Sequence, residues 1–387
     1  VHISQRLQRN IPRLLAGVAL TSLALTACGS SSKTGTNSSG PTTSAAGNGS
    51  QIPTLHPKLF AMAPTGAKKP DDITILDGLL YVTYQNDAGK DGKPDGSMST
   101  IAAIDPTTAK VTATYSVVGR CDGLTADPNN HRVLASANED SNSSLFVITP
   151  GTPSPTHYTY SPNPEEMGSD GSNGGTDAIS VAPDGTIYVA HSNPDPHLPA
   201  PNNTAAEYTM TLSGTTATLT PLFGINDSAP VINPSPGHPS PAPLGLSDPD
   251  SNRFVADLGG GTLIQDSQAD SKLVFAGPRP GDPVRQLNLT NAAATRSQKD
   301  VTPQLDDIVE VTGPGTLYVV DQSTNNLLAI KMTGADKGKF FVSQPNPAAG
   351  DKMNTPALGT VDIKTGVVTQ VGLAFGSPKG LLFIPSP

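Results

Sequence analysis

The chain lacks tryptophan, has only two cysteines, and carries just 4% aromatic and 15% charged residues over its 387 positions. Two cysteines cannot form a disulfide framework. No stretch from Cys28 onward shows four turns of 3.6-residue apolar periodicity, which argues against a helical bundle. The apolar segment over residues 14–25 is twelve residues long, short of the ~20 that a membrane-spanning helix requires. There is no Gly-x-Ser-x-Gly elbow, phosphate loop, His-Glu-x-x-His or paired-cysteine motif, so serine-triad, nucleotide and zincin chemistry have no sequence support. Lysine and arginine form no cluster and the formal charge is −9, which argues against nucleic acid and anionic lipid as partners. What the chain does have is 38 glycines, 38 prolines and a repeated phrase.

The N-terminal residues carry an export pattern. Arg6, Arg9 and Arg13 precede the apolar segment, which ends in Leu25-Thr26-Ala27-Cys28. This tetrapeptide resembles a bacterial lipobox, and the resemblance implies cleavage after residue 27 and lipidation of Cys28. The expected divisions are a signal peptide (1–27), a lipidated cysteine with a Ser/Thr/Gly tether (28–50) and a folded domain (51–387). The tether buries too little apolar surface to order itself, and its root-mean-square reach is about 25 Å. Two acyl chains give stable anchoring, so a membrane-anchored, extracytoplasmic, monomeric protein is expected. Loss of the three arginines takes the formal charge to −12. Cys121 then has no disulfide partner and is expected to be a small buried residue.

The repeated phrase sets the fold. Asp177-Ala178-Ile179-Ser180-Val181, Pro183-Asp184-Gly185, Thr186-Ile187-Tyr188-Val189 recurs as Asp71-Asp72-Ile73-Thr74-Ile75, Asp77-Gly78, Leu80-Tyr81-Val82. It recurs again from Asp306-Asp307-Ile308 to Thr316-Leu317-Tyr318-Val319, with looser copies at Asp122, Leu244 and Lys379. A strand, a tight turn and a second strand, repeated with further strands between, make the four-stranded meander of a propeller blade. The expected fold is therefore an all-β propeller. Six blades are favoured, with seven left open by the long stretch from Asp306 to Lys379. Closure is expected to place the C-terminal strand in one blade with residues 59–62. A two-sheet sandwich is the second architecture, but it would not produce the recurring Asp and Tyr-Val.

Loop lengths are unequal. Turns joining strands one to two and three to four are short, as at Asp77-Gly78 and Pro183-Asp184-Gly185. Connections over residues 85–99, 161–175, 192–204, 226–243 and 292–302 are long and polar. A meander sends these two kinds of connection to opposite ends, so the long ones share one face, the usual place for binding on a rigid scaffold. The residues opening strand one (Asp71, Asp122, Asp177, Leu244, Asp306, Lys379) belong at that end, around a central channel. Those closing strand two (Tyr84, Ala137, His191, Asp257, Asp321) are expected nearby, with Glu139 from the polar segment 138–144. Crowded carboxylates raise one another's pKa unless a cation neutralises them. Calcium at Asp122, Asp177 and Asp306 is therefore expected as a possible cofactor, set against each Asp capping its own turn. The Asp87–Gly96 stretch reads as a solvated hairpin loop more readily than as a calcium loop.

The Pro-Asp-Gly turn before Thr-Ile-Tyr-Val and the Asp105-Pro106-Thr107-Thr108 turn before Val111-Thr112-Ala113-Thr114 resemble the YVTN, NHL and streptogramin-lyase-like β-propellers, over nearly all of the folded domain. Such folds host scaffolds, lactonases and lyases alike, so the resemblance implies the fold and leaves the activity open. Gluconolactonase-like members hold calcium with an acid and amides, whereas this rim offers mainly Asp. The expected function is a non-catalytic propeller that binds a protein, glycan or small ligand on its long-loop face. The alternative is a metal-dependent lactonase, hydrolase or lyase acting at the channel mouth through Asp122, Asp177, His191 and Asp306.

Overall fold

A computed structural model describes residues 55–92, 96–164, 174–194, 205–292, 302–345, 356–372 and 375–387. The expected signal peptide (1–27), Cys28 and the expected tether lie outside the described residues. β1 (Lys58–Met62) precedes six four-stranded units. Blade I is β2 (Pro70–Leu76), β3 (Leu79–Tyr84), β4 (Met98–Asp105) and β5 (Lys110–Val118). Blade II is β6 (Cys121–Asp127), β7 (Arg132–Ala137), β8 (Ser144–Ile148) and β9 (Thr156–Ser161). Blade III is β10 (Gly175–Val181), β11 (Ile187–Ser192), β12 (Ala205–Ser213) and β13 (Thr216–Gly224). After the short pair β14 (Ser228–Ala229) and β15 (Ala242–Pro243), blade IV is β16 (Pro249–Val255), β17 (Thr262–Ser267), β18 (Lys272–Ala276) and β19 (Val284–Asn288).

The last two blades exchange strands. β20 (Thr290–Asn291) leads to β21 (Asp307–Val311), β22 (Gly315–Asp321), β23 (Asn326–Met332), β24 (Lys339–Gln344), β25 (Ala357–Val361), β26 (Val367–Gly372) and β27 (Pro378–Pro385). β21 pairs with β24 rather than β22, so blade V is β21-β24-β25-β26 with β20 added outside. β22 pairs with β27 on one side and β23 on the other, and blade VI is β27-β22-β23-β1. This corrects the reading of residues 306–319 as one hairpin: its two halves lie in adjacent blades. The expected closure holds, with the first strand outermost and the last innermost in one blade. The inner strands β2, β6, β10, β16, β21 and β27 neighbour one another in a closed ring. That gives six blades, and no sandwich.

Burial follows the blades. Six apolar clusters fill the six gaps between adjacent sheets: Tyr81, Ile101, Leu124 and Phe146 pack between blades I and II, and Ile73, Val82, Tyr318 and Leu382 between VI and I. Strands sandwiched on both faces bury successive residues, which explains the near-continuous burial of β3, β7 and β11. Cys121 is fully buried in the I/II cluster, and burial pushes its thiol far up. Asp77-Gly78 turns with positive φ at both residues, as a two-residue hairpin loop demands.

Inner strands approach very closely. A Cβ at Gly123 would lie 2.5 Å from the Asp177 carbonyl oxygen, and one at Gly380 would lie 2.7 Å from Asp72 Cα. Gly123→Val is therefore expected to cost about 1–3 kcal/mol through overpacking. Gly313→Ala, with open space around the added carbon, serves as the control in urea titrations and is expected to leave the midpoint unchanged. Among the described residues no helix is long and apolar enough to cross a membrane.

Candidate ligand-binding site

A β-bulge builds the channel mouth. In five blades the register of the innermost strand slips at the same place: between Pro70 and Ile73, Cys121 and Leu124, Thr176 and Ile179, Pro249 and Asn252, and opposite Val319 and Asp321, where Lys379 and Gly380 sit. Bulges re-aim side chains, and here two residues per blade serve two purposes. The first of each pair lines an axial cavity of about 190 Å3: Asp71, Asp122, Asp177, Asp250 and Lys379, with Asp306 completing the ring from blade V.

In blades I and V the residue after the ring position is a second aspartate, and it joins neighbouring blades. Asp72 accepts from its own neighbour Ile73 N (2.6 Å) and from Leu124 N of the next blade (2.7 Å). Asp307 repeats this with Ile308 N (2.6 Å) and Leu381 N (2.6 Å). Arg253 lies across blades IV, V and VI, its guanidinium donating to both Asp307 oxygens (3.2 and 3.1 Å) and to the carbonyls of Ile308 and Leu381 (3.1 Å each).

Carboxylates dominate the wall, nine against the four cations Lys90, Arg120, Arg253 and Lys379. Burial raises the carboxyls of Asp71, Asp177 and Asp250 well above the usual range, with like-charged neighbours adding to the effect. Burial and then Glu139 lift Asp122 to about 7. Lys379 Nζ contacts Asp306 Oδ1 and lies 3.9 Å from Asp71 Oδ1. Burial opposes its charge, yet these acids hold it well above the ordinary lysine value. Glu139 pairs with Lys90 (2.7 Å) and Arg120 (3.5 Å), which keep it low against the effect of burial. Asp122 accepts from Gln85 Nε2 at 2.5 Å through Oδ1, while its buried Oδ2 has no partner among the described residues.

Six of the nine sequence-derived channel residues thus meet: Asp71, Asp122, Glu139, Asp177, Asp306 and Lys379. Three do not. His191 is fully buried inside blade III, its Nδ1 on the Ala205 carbonyl (2.8 Å) and its ring 5.7 Å from Tyr208, and burial lowers it to about 4. Asp321 is buried and accepts from Gly376 N (2.8 Å) and Ser377 N (2.9 Å), pinning the approach to β27. Asp257 is exposed in the β16–β17 turn at the other end, because Phe254-Val255 closes strand one of blade IV and not strand two. For the same reason Leu244 is a core residue and Asp250 occupies the ring position.

Sequence reading also missed the amides. Gln85, Gln268 and Gln322 follow the last residue of strand two, and donate to Asp122, Asp250 (2.8 Å) and Asp71 (2.9 Å). In the 87–96 loop, Asp87 is taken by Lys68 and by Lys69 (2.6 Å), so that carboxylate is already neutralised. Among the described residues no group of three or more His, Cys, Asp or Glu side chains is gathered closely enough to hold a metal ion. Asp122, Asp177 and Asp306 line one cavity but do not form such a set.

No protein-family model matches the chain, and no curated protein matches it significantly. Solved structures do resemble it. A periplasmic gluconolactonase of Pseudomonas aeruginosa is 13% identical, with 82% of this chain and 89% of that chain covered and a TM-score of 0.44. A Lactobacillus plantarum protein gives 13%, 82%, 89% and 0.42 on the same measures. A hydrazine synthase chain of Kuenenia stuttgartiensis is 14% identical over 82% of this chain, with a TM-score of 0.39, and this chain spans only 66% of it.

Proposed function

We propose that the protein is a lipid-anchored, extracytoplasmic binding propeller that takes a small polar ligand into the axial cavity at its long-loop end, without chemistry of its own. The observation that carries this reading is the ring itself: four aspartates and a lysine brought to one mouth by a repeated bulge, with Asp306 of blade V beside them, at the end where the long connections emerge. The cavity exceeds the ~150 Å3 that accommodates benzene in an apolar core, so a compact ligand fits.

Thermal-shift screening of the whole chain against small metabolites of every charge class tests the reading. Hits are expected to lose their shift in Asp177→Asn and to keep it in Asp257→Asn. A set of hits indifferent to Asp177 overturns it. The anchor is tested separately: Cys28→Ala is expected to move the protein from the membrane to the soluble fraction and to abolish incorporation of a fatty-acid label.

A second reading rests on Asp122. A carboxyl near 7, on a residue that lines a polar cavity, suits general acid–base catalysis. Turnover of a lactone or glycoside that disappears in Asp122→Asn, with binding retained, would favour this reading over pure binding.

A further inference from the structure

The six ring positions follow blade order, so Lys379 of blade VI has Asp306 and Asp71 as its neighbours, and Asp177 of blade III stands opposite, flanked by Asp122 and Asp250. One half of the ring is therefore closed by an ammonium that the chain supplies. The other half has the same construction, and the remaining lysine of the wall, Lys90, pairs with Glu139 (2.7 Å) and not with a ring aspartate. Asp177 lies within hydrogen-bond reach of Asp250, and among the described residues no cation stands within ion-pair distance of it. Asp122 is only 6% exposed and keeps a buried Oδ2 without a partner. The nearest cation, Arg120, reaches Asp122 at 3.3 Å from its Nε, and is shared with Glu139.

Resting on the binding reading above, we infer that the Asp122–Asp177–Asp250 half of the ring is a seat for the primary ammonium of a small aliphatic di- or polyamine, built as the counterpart of the half that Lys379 fills. The chemistry distinguishes this ligand from its rivals. An ammonium places three N–H donors on separate oxygens at about 2.8 Å, and the ring already holds one ammonium, that of Lys379, between Asp306 and Asp71. Calcium needs six to eight oxygens at about 2.4 Å, and no tight carboxylate trio exists among the described residues. A quaternary ammonium is recognised by aromatic faces, and among the described residues no aromatic side chain lines the cavity. The excess of acids over cations accommodates more than one positive charge, with Asp248 in the wall beyond the ring. Asp177 is the specificity-determining residue, since it faces the seat with no cation of its own.

The test is calorimetric titration of the whole chain at pH 7.5 and low salt with 1,4-diaminobutane, butane-1,4-diol, tetraethylammonium chloride and calcium chloride. The diamine is expected to bind at least tenfold more tightly than each of the others. Asp177→Asn is expected to weaken it tenfold or more, and Asp257→Asn, at the far end, to leave it unchanged. Lys379→Ala supplies a second readout. Its melting temperature is expected to fall, and to recover with n-butylammonium but not with tetraethylammonium. Should that variant fail to fold, the wild-type titration decides alone. Preferential binding of calcium, of the diol or of the quaternary ion overturns the inference. So does diamine binding that ignores Asp177. If metabolite screening yields a neutral or anionic ligand that depends on Asp177, the cavity reading stands and the ammonium seat falls.

Discussion

Arg253→Ala is expected to destabilise the domain by about 3 kcal/mol, the low end of the cost of removing one partner from a buried ion pair. Its side chain is 29% exposed, toward the cavity it helps to line, and that water moderates the loss. The loss is nonetheless large because one guanidinium serves three blades. It covers both oxygens of Asp307 and the carbonyls of Ile308 and Leu381. Without it, Asp307 keeps its two backbone donors but loses its counter-ion, and two buried carbonyls lose a donor. Urea denaturation of the variant is expected to show a lower midpoint at an unchanged slope, with the melting temperature down by roughly 5 °C. Adding Asp307→Asn is expected to restore part of the loss, because the uncompensated charge is gone, while the amide oxygen keeps one of the two backbone donors that reach separate oxygens of Asp307, Ile308 N on Oδ1 and Leu381 N on Oδ2. Strictly additive losses would show that Arg253 acts by packing alone.

Arg253 also shows where sequence reading stops. It belongs to no repeat, and its partners lie 54 and 128 residues away. The repeated strand–turn–strand phrase was enough to establish a propeller, because local turn chemistry at Asp77-Gly78 and Pro183-Asp184-Gly185 and the two-faced burial of each strand are properties of neighbouring residues. The exchange between blades V and VI was not legible. β21 and β22 carry the same phrase as a true hairpin, and only pairing with β24 and β27 separates them.

The site was half legible for a related reason. Strand side chains alternate with period two, so a one-residue slip exchanges the two faces. Counting to Tyr84, Ala137 and Asp321 chose positions that do not line the cavity, whereas Gln85 and Gln322, one residue after Tyr84 and Asp321, donate to the ring acids. The aspartates were found because the bulge repeats with the phrase. Asp250 was lost only because Leu244-Gly245-Leu246 imitated a first strand. The Pro-Asp pair that opens β2 at Pro70-Asp71 recurs at Pro249-Asp250, and aligning on proline instead of leucine would have recovered it.

The ring carries a second large expectation: between pH 6.5 and 8 the domain is expected to become less stable as pH rises, against the common behaviour of paired carboxylates. Burial raises Asp71, Asp177, Asp250 and Asp306, and takes Asp122 to about 7 and Asp72 to about 8. An unfolded aspartate titrates near 3.9. Across the interval between these values the native state holds more protons than the unfolded state, so the free energy of unfolding decreases with pH. The favourable contribution is complete below about 4 and is lost as pH climbs through the native values. His191 works in the other direction, since burial lowers it to about 4 and the unfolded imidazole takes up its proton near 6.5. Its effect is confined to pH below that point, which leaves the interval from 6.5 to 8 to the acids. Urea titrations at pH 6.5, 7.2 and 8.0 are expected to give a falling midpoint. Asp122→Asn, which keeps an acceptor for Gln85 and removes the charge, is expected to raise the midpoint at pH 8 and flatten the slope. Midpoints that are level or rise over this interval would mean that the carboxylates are ionised and fully compensated in the native cavity. A small diamine is expected to act like the substitution, supplying from solution the positive charge that Lys379 provides to only half of the ring.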